Sequence, residues 1–192
     1  MNVPRQSFIT RHRTHLTLLA CLALFGVSVW WRHSIGKNAP PLLFWTGAGL
    51  VAAGQLLRLW AAGYLRKDEQ VVTGGPFRYL RHPLYVGSFT AAVGYCLMSG
   101  LLLSLLLVPP FFIAAYYPAV IEEETFLTQK FGDAYRAYCA RVPRFLPRLR
   151  NAPAFQPADR SKFAWQLVKR NKEYEAVVGN LILVGLFIAV CR

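Results

Sequence analysis

The sequence predicts an all-α fold, a polytopic membrane helical bundle of about five transmembrane helices. Three observations carry that reading. Of the 192 residues, 55% are hydrophobic and the mean hydropathy is +0.31; a soluble domain of this size needs far more polar surface to cover its core. The formal net charge is +13, yet the long apolar runs carry almost none of it. A basic skirt around uncharged runs fits a bundle in lipid, attracted to the headgroups of anionic membrane lipids. It argues against a nucleic-acid partner, which has no use for uncharged stretches of this length.

The elements follow in order. Arg11, His12 and Arg13 precede an apolar run that reads as a first span over 16–31. No small-residue cleavage site follows Val29-Trp30-Trp31, so the run is a retained span with its tryptophans at the far interface. A second span covers 42–65 and contains Gln55 and Arg58. Arg58 sits near the cytosolic end, which favours snorkelling to the interface over a place inside the bundle.

Residues 66–83 form a polar connection broken by Gly74-Gly75-Pro76 and Arg81-His82-Pro83. Leu84 to Ile121 is almost uncharged and too long for one crossing. It predicts a helical hairpin with spans 84–98 and 101–121, turned at Met98-Ser99-Gly100 and kinked at Pro109 and Pro110. Glu122-Glu123-Glu124 opens a cytosolic helix over 122–138, interrupted at Gly132 and capped again by Asp133. Residues 1–150 thus make a membrane core. Residues 151–192 read as a basic linker, an interfacial helix and a fifth span; as one helix, Phe163–Val190 would extend roughly 42 Å. Cys21, Cys96 and Cys191 lie in apolar segments and no CxxC pair is present, so neither a disulfide nor a metal site is expected.

Charge sets the orientation. With five spans and the N-terminus inside, Arg58 lies in the membrane and Arg32, Lys37 and Arg192 outside, while the rest of the 22 Lys and Arg are cytosolic. The Gly-Pro/Arg-His-Pro loop and the glutamate triplet flank one hairpin, so both emerge on that cytosolic face.

Singly, each of these patches has an ordinary explanation: a turn, an interfacial pair, a solvated counter-charge. Together they suit a zwitterionic nucleotide ligand. Pro83 in the first helical turn leaves backbone donors free for an anion. Arg81 and His82 add charge-assisted donors. Carboxylates across the hairpin base suit hydroxyls, an amino group or a sulfonium, and Phe77 and Tyr85 suit a base or a cation.

The segments "GGPFRYLRHPLYVG" and "EEETFLTQKFGDAYRAYCARVPRFLP", in that order and spacing, resemble the isoprenylcysteine carboxyl methyltransferase family. That family belongs to a wider group of membrane methyltransferases that includes phospholipid N-methyltransferases. The resemblance covers about residues 42–148 and implies a cytosolic cofactor pocket for S-adenosylmethionine. By position, Gly75, Pro76, Phe77, Arg81, His82 and Tyr85 match the first cofactor motif. Glu123, Glu124 and Leu127 match the second, and Arg144 in "VPRFLP" the closing segment. His82, Glu123 and Arg144 are the candidate catalytic residues.

Two departures from the family pattern bear on the acceptor: only about two spans precede the motif, and no arginine lies just before Glu122. The implied reaction is carboxyl O-methylation of a lipophilic, isoprenylcysteine-like or prenylated acceptor. Methyl transfer from a sulfonium asks mainly for alignment and exclusion of water, so no nucleophilic triad is expected. A carboxylate acceptor needs no base, whereas for an amine, thiol or hydroxyl His82 or a glutamate is the candidate. Rivals are a phospholipid or small-amine N-methyltransferase on the same scaffold, an NADPH-dependent membrane reductase, and a catalytically silent scaffold.

Overall fold

A computed structural model describes residues 8–35, 39–67, 69–148 and 162–191, and the side chains of these except 8–18, 35 and 191. Among them are seven α-helices: α1 (Phe8–Ile35), α2 (Pro41–Ala62), α3 (Pro83–Ser99), α4 (Val108–Phe131), α5 (Asp133–Arg141), α6 (Trp165–Arg170) and α7 (Glu173–Cys191). Short 3-10 turns cover Gly75–Arg78 and Leu102–Leu106. Among the described residues, three segments are long and apolar enough to cross a membrane: Pro41–Ala62, Leu102–Phe131 and Glu173–Val190. The 17 residues of α3 stand at the lower end of the range of roughly 17–25 that a crossing takes. Leu42, Leu56, Leu103 and Leu181 are exposed on the outer faces, where lipid rather than water accounts for them. The chain is an integral membrane protein.

The tightest packing joins α2 to α3. A Cβ built on Gly47 would lie 2.5 Å from the Gly94 carbonyl oxygen, and one built on Gly94 would lie 2.5 Å from that of Gly47. Gly54 and Gly87 repeat the arrangement one helical stretch nearer the polar loops. Glycines on both partners let the two backbones touch. In lipid, where apolar side chains gain little by leaving their surroundings, such close contact supplies much of the association. Beyond these pairs, Phe44 and Val51 of α2, Tyr95 and Met98 of α3, and Leu183 and Phe187 of α7 form a buried core, with Cys21, Leu24 and Phe25 of α1 against it. The polar groups lie towards the opposite end, where α2 stops and α3 starts.

Three boundaries differ from the sequence expectation. The fourth span and the acidic helix are one element: α4 runs unbroken from Val108 through Glu122–Glu124 to Phe131. Glutamate is a good helix former, so the change in polarity there is not a change in structure. Pro109 and Pro110 fall in the first turn of α4 rather than kinking it, a place where a missing N–H is tolerated; Pro118 is the proline inside the helix. Gly132 does end α4, with φ of 54° and ψ of −126°, backbone angles that a side chain rarely adopts.

The expected single helix over Phe163–Val190 is also two, α6 and α7. They are parted at Asn171 and at Lys172, whose φ is 55°. Asn171 donates from Nδ2 to the Ala62 and Leu65 carbonyls at 3.0 and 2.9 Å, satisfying acceptors left over where α2 ends. Its break therefore ties the C-terminal helices to α2. The basic linker expected before Lys162 lies outside the described residues.

Candidate active site

The site begins with a backbone pairing. Arg81 and His82 donate their N–H groups to the Pro143 and Arg144 carbonyls at 2.8 and 3.2 Å, and Arg148 donates its own to the Tyr79 carbonyl at 3.0 Å. The closing segment is thereby laid against the entrance to α3. His82 is the residue before the first turn of that helix, and Pro83 follows it. From the other side α5 adds a tie: the Tyr138 hydroxyl donates to the Phe77 carbonyl at 2.8 Å in a buried setting.

This framework gathers three side chains on one carboxylate. Glu124, whose side chain is 11% exposed, accepts from Arg81 Nη1 at 2.8 Å on Oε1. Arg144 donates to the same group from Nε and Nη2, the latter 2.7 Å from Oε2. His82 Nε2 stands 3.1 Å from Oε1. Arg81 Nη1 also reaches the Cys139 sulfur at 3.1 Å. Hydrogen bonding to Glu124 raises the Arg144 guanidinium pKa above its ordinary value, with burial opposing it. Two guanidiniums share one carboxylate, so the cluster keeps a local positive charge.

An aromatic wall stands beside it. The His82 ring stacks on Tyr85 with centroids 5.6 Å apart, and the Phe145 ring, tilted by 41°, has its centroid 5.9 Å from that of His82. Tyr85 meets Tyr116 of α4 edge-on at 5.6 Å, and Tyr116 stacks on Phe112 at 4.4 Å. The Tyr85 hydroxyl donates to Glu123 Oε2 at 2.9 Å, joining the two feet of the α3–α4 hairpin.

The structure thus brings together Arg81, His82, Glu124 and Arg144, with Tyr85 and Glu123 alongside. Other candidates stand further back. Pro76 and Phe77 are buried, Phe77 against Ala61 and Val72. Gly75 faces the Tyr64 ring. Leu127 packs on Tyr135, Tyr138 and Val142. Sequence reasoning missed Tyr116, Tyr138, Phe145 and Cys139, residues of ordinary local pattern whose roles depend on long-range folding. Tyr138→Phe tests one of them. It leaves the buried Phe77 carbonyl without that donor, and a loss of about 1–3 kcal/mol is expected, read as a lowered denaturation midpoint in detergent.

A lipid-embedded helical bundle with this charged and aromatic cluster at one end is built as a membrane-bound enzyme. The family model described as phospholipid methyltransferase matches residues 42–134. The cobalt-zinc-cadmium resistance protein CzcN of Cupriavidus metallidurans is 37% identical over 152 residues, covering 74% of this chain and 67% of that protein. The nickel-cobalt-cadmium resistance protein NccN of Alcaligenes xylosoxydans xylosoxydans is 34% identical over 156 residues, covering 76% and 70%. The protein-S-isoprenylcysteine O-methyltransferase of Schizosaccharomyces pombe is 35% identical over 100 residues, covering 52% and 42%. No solved structure matches the chain significantly.

The chain belongs to the isoprenylcysteine carboxyl methyltransferase family, among the membrane methyltransferases related to the phospholipid enzymes. It is a methyltransferase, and its family implies S-adenosylmethionine as the methyl donor.

Proposed function

We propose that this methyltransferase binds S-adenosylmethionine at the Arg81–His82–Glu124–Arg144 cluster and methylates the carboxylate of a lipophilic, isoprenylcysteine-like acceptor. The observation that carries the reading is the charge count at Glu124: two arginines converge on one buried carboxylate. The surplus positive charge suits an added carboxylate, whether from the cofactor or from the acceptor. The donor set fits the cofactor in other respects. Glu123 offers an exposed carboxylate oxygen to hydroxyl or amino groups, and Tyr85 and Phe145 offer faces for a base or a sulfonium. Gly75, Pro76, Phe77 and Leu127 shape the site from behind by packing.

When bound, S-adenosylmethionine supplies an electrophilic methyl group on sulfur. The chain's part is then orientation and exclusion of water. Arg144, with a side chain 38% exposed, is the arginine best placed to meet an incoming carboxylate while Arg81 holds Glu124. An ionised carboxylate brings its own nucleophilic oxygen, so no residue has to remove a proton, and His82 remains a donor and spacer within the cluster. The N-terminus and the site lie on the cytosolic face in this reading, following the distribution of basic residues. Methylation of a phospholipid or small amine is the second reading, favoured by the family model that the chain matches. There His82 or Glu123 would take the proton.

In the test, the detergent-solubilised protein is melted with S-adenosylhomocysteine and with NADPH. A raised midpoint with the first alone is expected, since a ligand of the folded state stabilises it. The reverse pattern would favour a reductase. Radiolabelled S-adenosylmethionine is then supplied with prenylcysteine analogues and the product is treated with alkali. Release of the label as methanol is expected for an ester. Label that stays in the lipid fraction moves the acceptor to nitrogen or sulfur. His82→Ala and Glu123→Ala are each expected to weaken S-adenosylhomocysteine binding by about tenfold, the loss of one charge-assisted hydrogen bond. Unchanged affinity in both would return them to an interfacial role.

A further inference from the structure

Arg58 does not snorkel. Its stem crosses Gly87 of α3, where a Cβ would come within 2.7 Å of Arg58 Cγ. Its head turns into the bundle between three helices. Nε donates to Glu173 Oε1 at 2.6 Å and Nη2 to Oε2 at 3.0 Å, a two-point grip on a carboxylate that is 6% exposed. The remaining nitrogen serves α3: Nη1 donates to Ser88 Oγ at 2.5 Å and lies 3.4 Å from the Leu84 carbonyl.

The Glu173 end continues as a polar chain. Gln55 donates to Glu173 Oε1 at 3.3 Å, Asn180 to Gln55 at 2.6 Å, and the Tyr95 hydroxyl to Asn180 at 2.7 Å. Charged and amide groups among apolar helices are costly unless each is partnered. Each of these has a partner, and the set joins α2, α3 and α7. The family match ends at residue 134, so Glu173 and Asn180 lie outside it.

The place where Arg58 attaches gives the arrangement its meaning. Leu84 is the second residue of α3, between His82 and Tyr85. One side of that turn is fixed by the backbone bonds of Arg81 and His82 to residues 143 and 144. Arg58 fixes the other side. Sites of this kind need their groups held to about half an ångström, and the contacts of His82 with Glu124 and of Tyr85 with Glu123 depend on where this turn sits.

We propose that Arg58, gripped by Glu173 of α7, is a positioning residue that sets the first turn of α3 and with it His82 and Tyr85. The C-terminal helix is then part of the site's support and not only a further anchor. The proposal rests on the reading of that site as a cofactor pocket.

The experiment compares wild type with Arg58→Lys, Arg58→Glu, Ser88→Ala and the charge-exchanged pair Arg58→Glu/Glu173→Arg. Two quantities are read: hydrogen exchange at the amides of residues 84–88, and S-adenosylhomocysteine affinity. Lysine keeps a charge opposite Glu173 but lacks the fixed fork that serves Glu173 and Ser88 together. In Arg58→Lys, exchange at 84–88 is expected to rise about tenfold and affinity to fall about tenfold, the size of one charge-assisted hydrogen bond. The charge-exchanged pair is expected to restore the melting midpoint lost in Arg58→Glu alone, while both local changes persist.

Unchanged exchange at 84–88 overturns the proposal. So does raised exchange with wild-type affinity, and so does recovery of affinity in the exchanged pair, since docking α7 would then suffice. Wild type is measured first: if it binds no S-adenosylhomocysteine, the methyl-transfer reading fails, and the exchange readout still decides the role of Arg58. Should Arg58→Lys fail to insert, Ser88→Ala is read in its place by the same outcomes.

Discussion

Glu124→Ala is expected to leave a protein that inserts but binds S-adenosylhomocysteine and transfers methyl groups at least about 100-fold less well. The reason is electrostatic. Arg81, His82 and Arg144 all lean on this one carboxylate. Truncating one member of a buried ion cluster strands the others, typically at about 3–5 kcal/mol. The contribution of Arg144 is smaller than that of Arg81, because its side chain is partly in solvent. The damage should stay local, since the main apolar core lies towards the far end of the bundle and shares no residue with the cluster.

Two companion variants sharpen the test. Glu124→Asp keeps the charge but withdraws it by one methylene, and should fall between wild type and alanine. Glu123→Gln removes a charge whose partner in the cluster is the Tyr85 hydroxyl, and should be milder than Glu124→Ala. Binding by calorimetry and label transfer on the same preparations check all three. Near-wild-type transfer in Glu124→Ala would mean that the arginines are organised by something other than this carboxylate.

The contrast between Glu123 and Glu124 marks the limit of what the sequence could say. A glutamate triplet facing an Arg-His-Pro turn across a hairpin is visible in the chain, and so is the family pattern around it. Which glutamate points inward is not, because neighbours on a helix differ by about 100° in direction. That phase is fixed by the packing of α4 against α1, α3 and α5. Gly132 was legible for the opposite reason: a glycine just past an amphipathic run acts through its own backbone angles, without need of a distant partner.

Arg58 shows the same division. Its local sequence, a cation near the end of an apolar run, is that of a snorkelling residue. Its actual partner is Glu173, 115 positions away. The break at Lys172 that begins α7 there carries neither glycine nor proline. Local pattern placed α2 and α3 to within a few residues. It was silent wherever a residue's role depends on a helix from another part of the chain.

The packing of α2 on α3 is the second place where one substitution should have a large effect. Gly94→Ala puts a methyl group 2.5 Å from the Gly47 carbonyl oxygen and 2.9 Å from the Val51 amide nitrogen. Both are backbone atoms of a helix, so no rotamer change relieves the clash and the helices must part. Overpacking costs about 1–3 kcal/mol at ordinary sites and more where surroundings cannot yield. Here parting also stretches the grip of Arg58 on Ser88 and loosens the close contacts that hold helices together in lipid. Gly49→Ala is the matched control. It lies in the same helix as Gly47, with nothing within 4 Å of a built Cβ, and alanine there should stabilise the helix by about 0.5–1 kcal/mol. One chemical change is therefore expected to lower the melting midpoint at position 94 and to raise it slightly at position 49. Equal midpoints in the two variants would mean that α2 and α3 do not meet backbone to backbone.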